Sequence, residues 1–366
     1  MRKMRLFTPG PVPIEEHLRS IGAKQLPYNR TEEFTELTHE ILRGLKYVFR
    51  TEGSVALLTG SGTAAMEASV MNFLGARDKA LIINGGVFGQ RWCDLCERHS
   101  IPHDVYTPPL GSDIDLNYLG DLVLEKRSTA LLATAHETST GHLYDIQSLG
   151  LIARNHGLFF LVDAISSICA DPFHMDEWGV DAAILSTQKA LALPPGMSFV
   201  AMNDRATARL AGRQPGILYF DLKNCLVNQE RGQTPYTPAI GLMLQLVQRL
   251  RDIQEQTLPA LTLQHKERAE TFRRGLVGLP FEVFPFRSSN AITALSRKGI
   301  DASKIAEELR ERFDIIVAPN AGRLKSKIFR VAHMGAQDNA DLTILNAALR
   351  SVAESNAHEK PERIQI

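Results

Sequence analysis

Several classes of protein are excluded by what this sequence has little of. Only four cysteines occur in 366 residues. That is too few for a disulfide framework, so a reducing compartment, the cytoplasm, is the expected setting. Lysine plus arginine and aspartate plus glutamate number 41 each and cancel. Without a field of either sign, nucleic acid is not an expected partner. No stretch approaches the ~18 uncharged apolar residues of a membrane span. The opening "MRKMRLFTPGPVP" is basic, but Pro9, Pro11 and Pro13 break any apolar run, so no secretory signal is expected. Internal repeats and low-complexity tracts are lacking too.

What is present is ordinary globular composition, 44% hydrophobic and 22% charged, in a chain long enough for two domains. Five short apolar runs read as buried strands: "SVALLTG" (54–60), "KALIING" (79–85), "STALLATAH" (128–136), "LFFLVDA" (158–164) and "DAAILST" (181–187). Between them lie helical patterns at 63–75, 89–100 and 146–157. That alternation predicts βαβ units and a mostly parallel sheet, an α/β fold. Past about residue 239 the texture changes. Helical patterns at 239–256, 261–279, 301–313 and 339–356 flank strand-like "FEVFPF", "NAITALS", "IIVAP" and "KIFRVAHMG". These predict a smaller α+β unit.

Each apolar run of the first part ends in polar or small residues, and open α/β sheets bind ligands at the carboxyl ends of their strands. Ser61, Gly62 and Thr63 open a helix there and suit either an ordinary cap or an anion such as phosphate. Asp163 ends a doubly apolar strand, as a turn residue or as the partner of a cation. Lys189 is the one charge in "AILSTQKALALPPGMSFVAM". A buried lysine loses its proton readily, as imine chemistry requires, although a snorkelling side chain at a strand end is the plainer alternative. Together the three supply handles for the phosphate, ring nitrogen and aldehyde of pyridoxal 5′-phosphate. The competing signal is "WCDLC". Cys93 and Cys96, with His99 nearby, have redox or metal-ligand spacing, but the pair falls a turn inside its helix and lacks a second ligand pair. It reads as core, and no metal site is expected.

Nine motifs in order carry a resemblance: "TPGPVP" (8–13), "NRTEEF" (29–34), "GSGTAAMEA" (60–68), "NGGVFGQRW" (84–92), "HETSTG" (136–141), "VDAISS" (162–167), "STQKALALPPG" (186–196), "TPYTPAI" (234–240) and "RVAHMG" (330–335). The chain resembles the class V aminotransferases of the fold type I pyridoxal-phosphate enzymes, of the alanine–glyoxylate and serine–pyruvate kind. The resemblance implies a large cofactor domain with a seven-stranded, mostly parallel sheet and a smaller C-terminal α+β domain. The expected bounds are an N-terminal arm (1–17), the large domain (18–258), the small domain (259–358) and a loose tail (359–366). It implies Lys189 as the residue bonded to the cofactor and Asp163 as partner of the ring nitrogen. Ser61, Gly62, Thr63 and Gln188 become phosphate ligands. Phe88 and Ile165 cover the two ring faces, and Thr138 reaches the ring oxygen. Tyr236 and Thr237 reach the phosphate across a homodimer interface, and Arg330 holds the substrate carboxylate. The implied reaction is ping-pong transfer of an amino group from alanine or serine to glyoxylate or pyruvate. A 2-aminoethylphosphonate–pyruvate transaminase is the alternative within the family; a CxxC redox or metal-binding protein is the alternative outside it. Cysteine desulfurases drop out, since no cysteine lies in 226–366. Asn29 and Glu32 depart from the family's usual "HRTPEF" loop, so no substrate role is carried over to Asn29–Arg30. Arg231 sits in a stretch with no assigned place.

Overall fold

The computed structural model describes residues 4–212, 216–320 and 322–355; the expected tail lies outside them. The five expected strands of the first part form, as β2 (Ser54–Thr59), β3 (Ala80–Ile83), β5 (Ala130–Thr134), β8 (Phe159–Asp163) and β9 (Ala182–Ser186). They are joined by β4 (His103–Tyr106) and β10 (Met197–Met202) in a seven-stranded sheet of order β2-β10-β9-β8-β5-β3-β4. Only β10 runs against the rest, antiparallel to both β2 and β9. The carboxyl ends of the other six therefore share one edge.

The strands carry apolar residues in succession because both faces are covered. Neighbours divide between two cores. Leu81, Leu131, Phe160 and Leu185 pack toward Ile41, Leu45, Leu246 and Leu250, from the helices Glu32–Phe49 and Ile240–Gln256. Ile82, Leu132, Leu161 and Ile184 pack toward Phe73, Trp92 and Cys96, from the helices Gly62–Phe73 and Val87–Arg98.

The smaller sheet has the order β1-β13-β14-β12-β11. Its strands are β1 (Arg5–Phe7), β11 (Glu282–Val283), β12 (Ile292–Ser296), β13 (Ile315–Pro319) and β14 (Ile328–Ala332). Helices Leu258–Gly275, Ala302–Phe313 and Asn339–Ser355 cover it, burying Phe272, Leu309 and Leu349. The β1 strand comes from the other end of the chain and pairs in parallel with β13. That pairing delivers the "TPGPVP" segment to the edge of the large sheet. A short hairpin of β6 (His136–Glu137) and β7 (His142–Leu143) lies just past β5.

Candidate active site

Lys189 lies on the sheet edge that carries the six aligned carboxyl ends. It follows β9 and is 8% exposed. Its Nζ lies 5.9 Å from the Phe88 ring centroid. Burial, with the Arg330 and Arg91 charges against a weaker pull from Asp163, brings its pKa down to about 8. Gly10 explains the "TPGP" turn: at φ +147° a Cβ there would lie 3.1 Å from Lys189 Cδ and 3.2 Å from the Gln188 carbonyl. Only glycine lets the N-terminal segment pass so close to the lysine stem.

Asp163 closes β8 and is buried. Its carboxylate accepts the Ile165 N–H at 2.9 Å. Burial lifts its pKa to about 6, and the Ile165 N–H, Lys189 and Arg91 pull the other way. The helix Gly62–Phe73 begins where β2 ends, and the Ser61 side chain makes no capping bond to it. Ala64 N–H is taken by the Ser61 carbonyl, which leaves those of Gly62 and Thr63 for an anion, at the positive end of the helix dipole. A Cβ at Gly62 would sit 2.5 Å from Ile165 Cδ1 and 3.2 Å from Ser186 Oγ. That contact ties the turn after β2 to the ends of β8 and β9. Thr63 Oγ1 accepts from Arg91 Nη1 at 3.0 Å.

Thr138 lies in the turn between β6 and β7, with its hydroxyl 2.8 Å from Ser166 Oγ. Its carbonyl accepts from Arg330 Nη1 at 3.3 Å, and Arg330 Nη2 donates to the Pro319 carbonyl at 3.0 Å. No carboxylate pairs with Arg330 among the described residues, and its Nε is buried without a partner. Burial lowers its pKa, partly offset by Glu137.

Tyr236 and Thr237 stand apart from this cluster. Both are exposed. The Tyr236 ring stacks on Tyr219 at 5.3 Å, and its hydroxyl donates to the Leu218 carbonyl. Arg30 belongs to the same neighbourhood, donating to Gln233 Oε1 and the Thr234 carbonyl. Arg231 ends the helix Leu222–Glu230 and bonds Asn228 Oδ1 at 2.6 Å.

Three groups beside the pocket carry no signal of their own in the sequence. Arg91 places a second guanidinium there, 4.9 Å from the Phe88 centroid. His136 is buried, so its pKa falls to about 3 and it stays neutral; its Nδ1 meets the Ser166 carbonyl. Glu137 is fully buried. All three lie inside quoted motifs, but nothing in their spacing separates them from scaffold. The expected core placement of "WCDLC" holds: Cys93 and Cys96 are buried within a helix, and burial pushes their thiols up to about 11 and about 12. His99 meets Glu67 Oε1 at 3.0 Å. Among the described residues no group of three His, Cys, Asp or Glu side chains could hold a metal ion, and no helix is long and apolar enough to cross a membrane.

These groups fit a phosphorylated pyridine aldehyde. There is a helix N-terminus for the phosphate, with Ser186 Oγ buried beside it without a partner, and Gln188 Oε1, next to Lys189 in the chain, is likewise buried without one. A buried acid stands ready for a ring nitrogen and a depressed lysine for an aldehyde.

Known proteins agree with the geometry. The chain is 31% identical to a protein named soluble hydrogenase, small subunit, of Synechococcus sp., over 96% of this chain and 93% of the relative. It is 29% identical to an L-aspartate–glyoxylate aminotransferase of Paracoccus denitrificans, over 92% and 87%. The solved alanine–glyoxylate aminotransferase of Nostoc sp. superposes with a TM-score of 0.91 at 27% identity, covering 96% of both chains. The aminotransferase class-V family model matches residues 19–333. This chain therefore belongs to the class V aminotransferases, and is a pyridoxal-phosphate-dependent enzyme that transfers amino groups.

Proposed function

We propose that this enzyme moves an amino group from a small amino acid, alanine or serine, to glyoxylate or pyruvate. One observation carries the reading. Arg330 presents a half-buried guanidinium to the Lys189 pocket, bonded among the described residues only to two carbonyls and with its buried Nε unused. A planar fork of donors in that state suits an α-carboxylate next to the reacting amine. Glyoxylate as acceptor is supported by its place in the names of two of the similar proteins.

Bound pyridoxal phosphate supplies the electron sink that makes the Cα hydrogen of an amino acid acidic. The chain supplies the rest. Lys189 would hold the cofactor's aldehyde carbon, and its amine, with the pKa brought down to about 8, would serve as the base for the Cα proton of the amino acid. Asp163, with a pKa of about 6, is ionised at neutral pH and holds a proton on the ring nitrogen. Phe88 and Ile165 would cover the ring, and Thr138 would reach the ring oxygen. Ser61, Gly62, Thr63 and Gln188 bind the phosphate. Tyr236 and Thr237, exposed in the single chain, serve the neighbouring subunit's phosphate site in a homodimer. Residues 18–258 then form the cofactor domain, and residues 259–358 the smaller domain that brings Arg330.

Arg91 favours a second reading, an acidic donor such as aspartate, because it adds a second cation that acts on both Lys189 and Asp163. The two readings separate in single half-reactions. Alanine, serine, aspartate and 2-aminoethylphosphonate are added in turn while the visible absorbance of the bound cofactor is followed. Fastest loss with alanine or serine is expected. Fastest loss with aspartate shifts the assignment to the second reading, and a response to the phosphonate alone overturns both.

A further inference from the structure

Glu137 is a fully buried carboxylate without a salt bridge among the described residues. What surrounds it is a set of donors. Its Oε1 accepts from Ser139 N at 3.2 Å and Ser139 Oγ at 2.5 Å. Its Oε2 accepts from Phe88 N at 3.1 Å and Gly89 N at 3.0 Å. Phe88 and Gly89 are the second and third residues of the helix Val87–Arg98. Their N–H groups are the ones an N-cap side chain ordinarily satisfies. The cap residue here is Gly86, which has no side chain to do so. A Cβ at Gly86 would lie 2.7 Å from Glu137 Cδ, so the glycine is what admits the carboxylate.

We propose that Glu137 is a positioning residue: reaching in from the end of β6, it replaces the missing cap of this helix and thereby fixes Phe88 against the cofactor ring. The inference rests on Phe88 being the ring's neighbour. An anion at a helix N-terminus is favoured by the dipole. Both carboxylate oxygens accept, and the Phe88 N–H also reaches Oε1, at 3.3 Å. Glutamine cannot reproduce this, because its amide NH2 must face one of the two donor sets. The same helix carries Arg91, whose bond to Thr63 would shift with any tilt of the helix.

The test is a double-mutant cycle read by cofactor affinity. Unliganded wild type, Glu137→Gln, Phe88→Ala and the double variant are titrated with pyridoxal phosphate by equilibrium dialysis. Glu137→Gln is expected to weaken binding about tenfold or more, the usual effect of stranding buried donors. In the Phe88→Ala background most of that loss should vanish, because both changes act through the same ring. A Glu137→Gln affinity within twofold of wild type, or an equal loss in both backgrounds, overturns the proposal. Should Glu137→Gln not fold, Ser139→Ala takes its place in the cycle, with a smaller loss and the same dependence on Phe88. Wild type that does not bind the cofactor would instead overturn the cofactor reading beneath it.

Discussion

The Lys189 pocket and the Cys93–Cys96 helix both carry residues of chemical promise, and they sit on neighbouring elements of one sheet. In the helix the reactive groups are inert. The thiols lie in an apolar core, burial holds them protonated, and His99 is occupied by Glu67. In the pocket the same burial, which disfavours charge in both places, has a different outcome. It lowers a lysine and raises an aspartate toward neutrality, leaving both near working pH and next to polar atoms short of partners. The difference is convergence. Cys93 and Cys96 are close because they are one turn apart, whereas Lys189, Asp163, Gly62 and Arg330 come from four elements and share no other reason to meet.

Substitutions can break that contrast. The largest effect is expected for Lys189→Ala, with a fall of about 10⁴-fold in kcat; steady-state assay with the proposed substrates checks it. Lys189→Met probes the energetic cost of the pocket. The folded-state pKa, about 8, is below the unfolded value, so the buried amine destabilises the unliganded protein fully below pH 8. The penalty fades as pH rises toward 10.5. The methionine variant should therefore be more stable at pH 7 by about 3 kcal/mol at most, and the gain should shrink in alkaline denaturant titrations. Arg330→Gln should lower kcat/KM about 100-fold, mostly through KM for the amino acid. Replacing Cys93 or Cys96 by Ala should cost about 1 kcal/mol of stability and leave kcat/KM unchanged. A loss of turnover there would erase the contrast.

The large sheet was legible because doubly covered strands read as unbroken apolar runs, as in "LFFLVD". β4 was not: "HDVY" is an edge strand with polar residues. β10 follows "LPPG" and runs against its neighbours, so no helix precedes it to announce it. The three residues of β1 are too few for any periodicity, and "FEVFPF" yields only the two-residue β11. In the site, residues at strand ends could be read, since position in the sheet alone marks them. Glu137 and Arg91 could not. Their importance depends on a bare cap at Gly86 and on the packing of the helix after β3, and both exist only in three dimensions.

The central claim is that Lys189 carries the cofactor. Borohydride treatment of the purified holoenzyme, followed by proteolysis and mass spectrometry, tests it most directly. The reduced cofactor's mass is expected on the peptide containing Lys189 and on no other. The same mass on a different lysine, or on none, would contradict it.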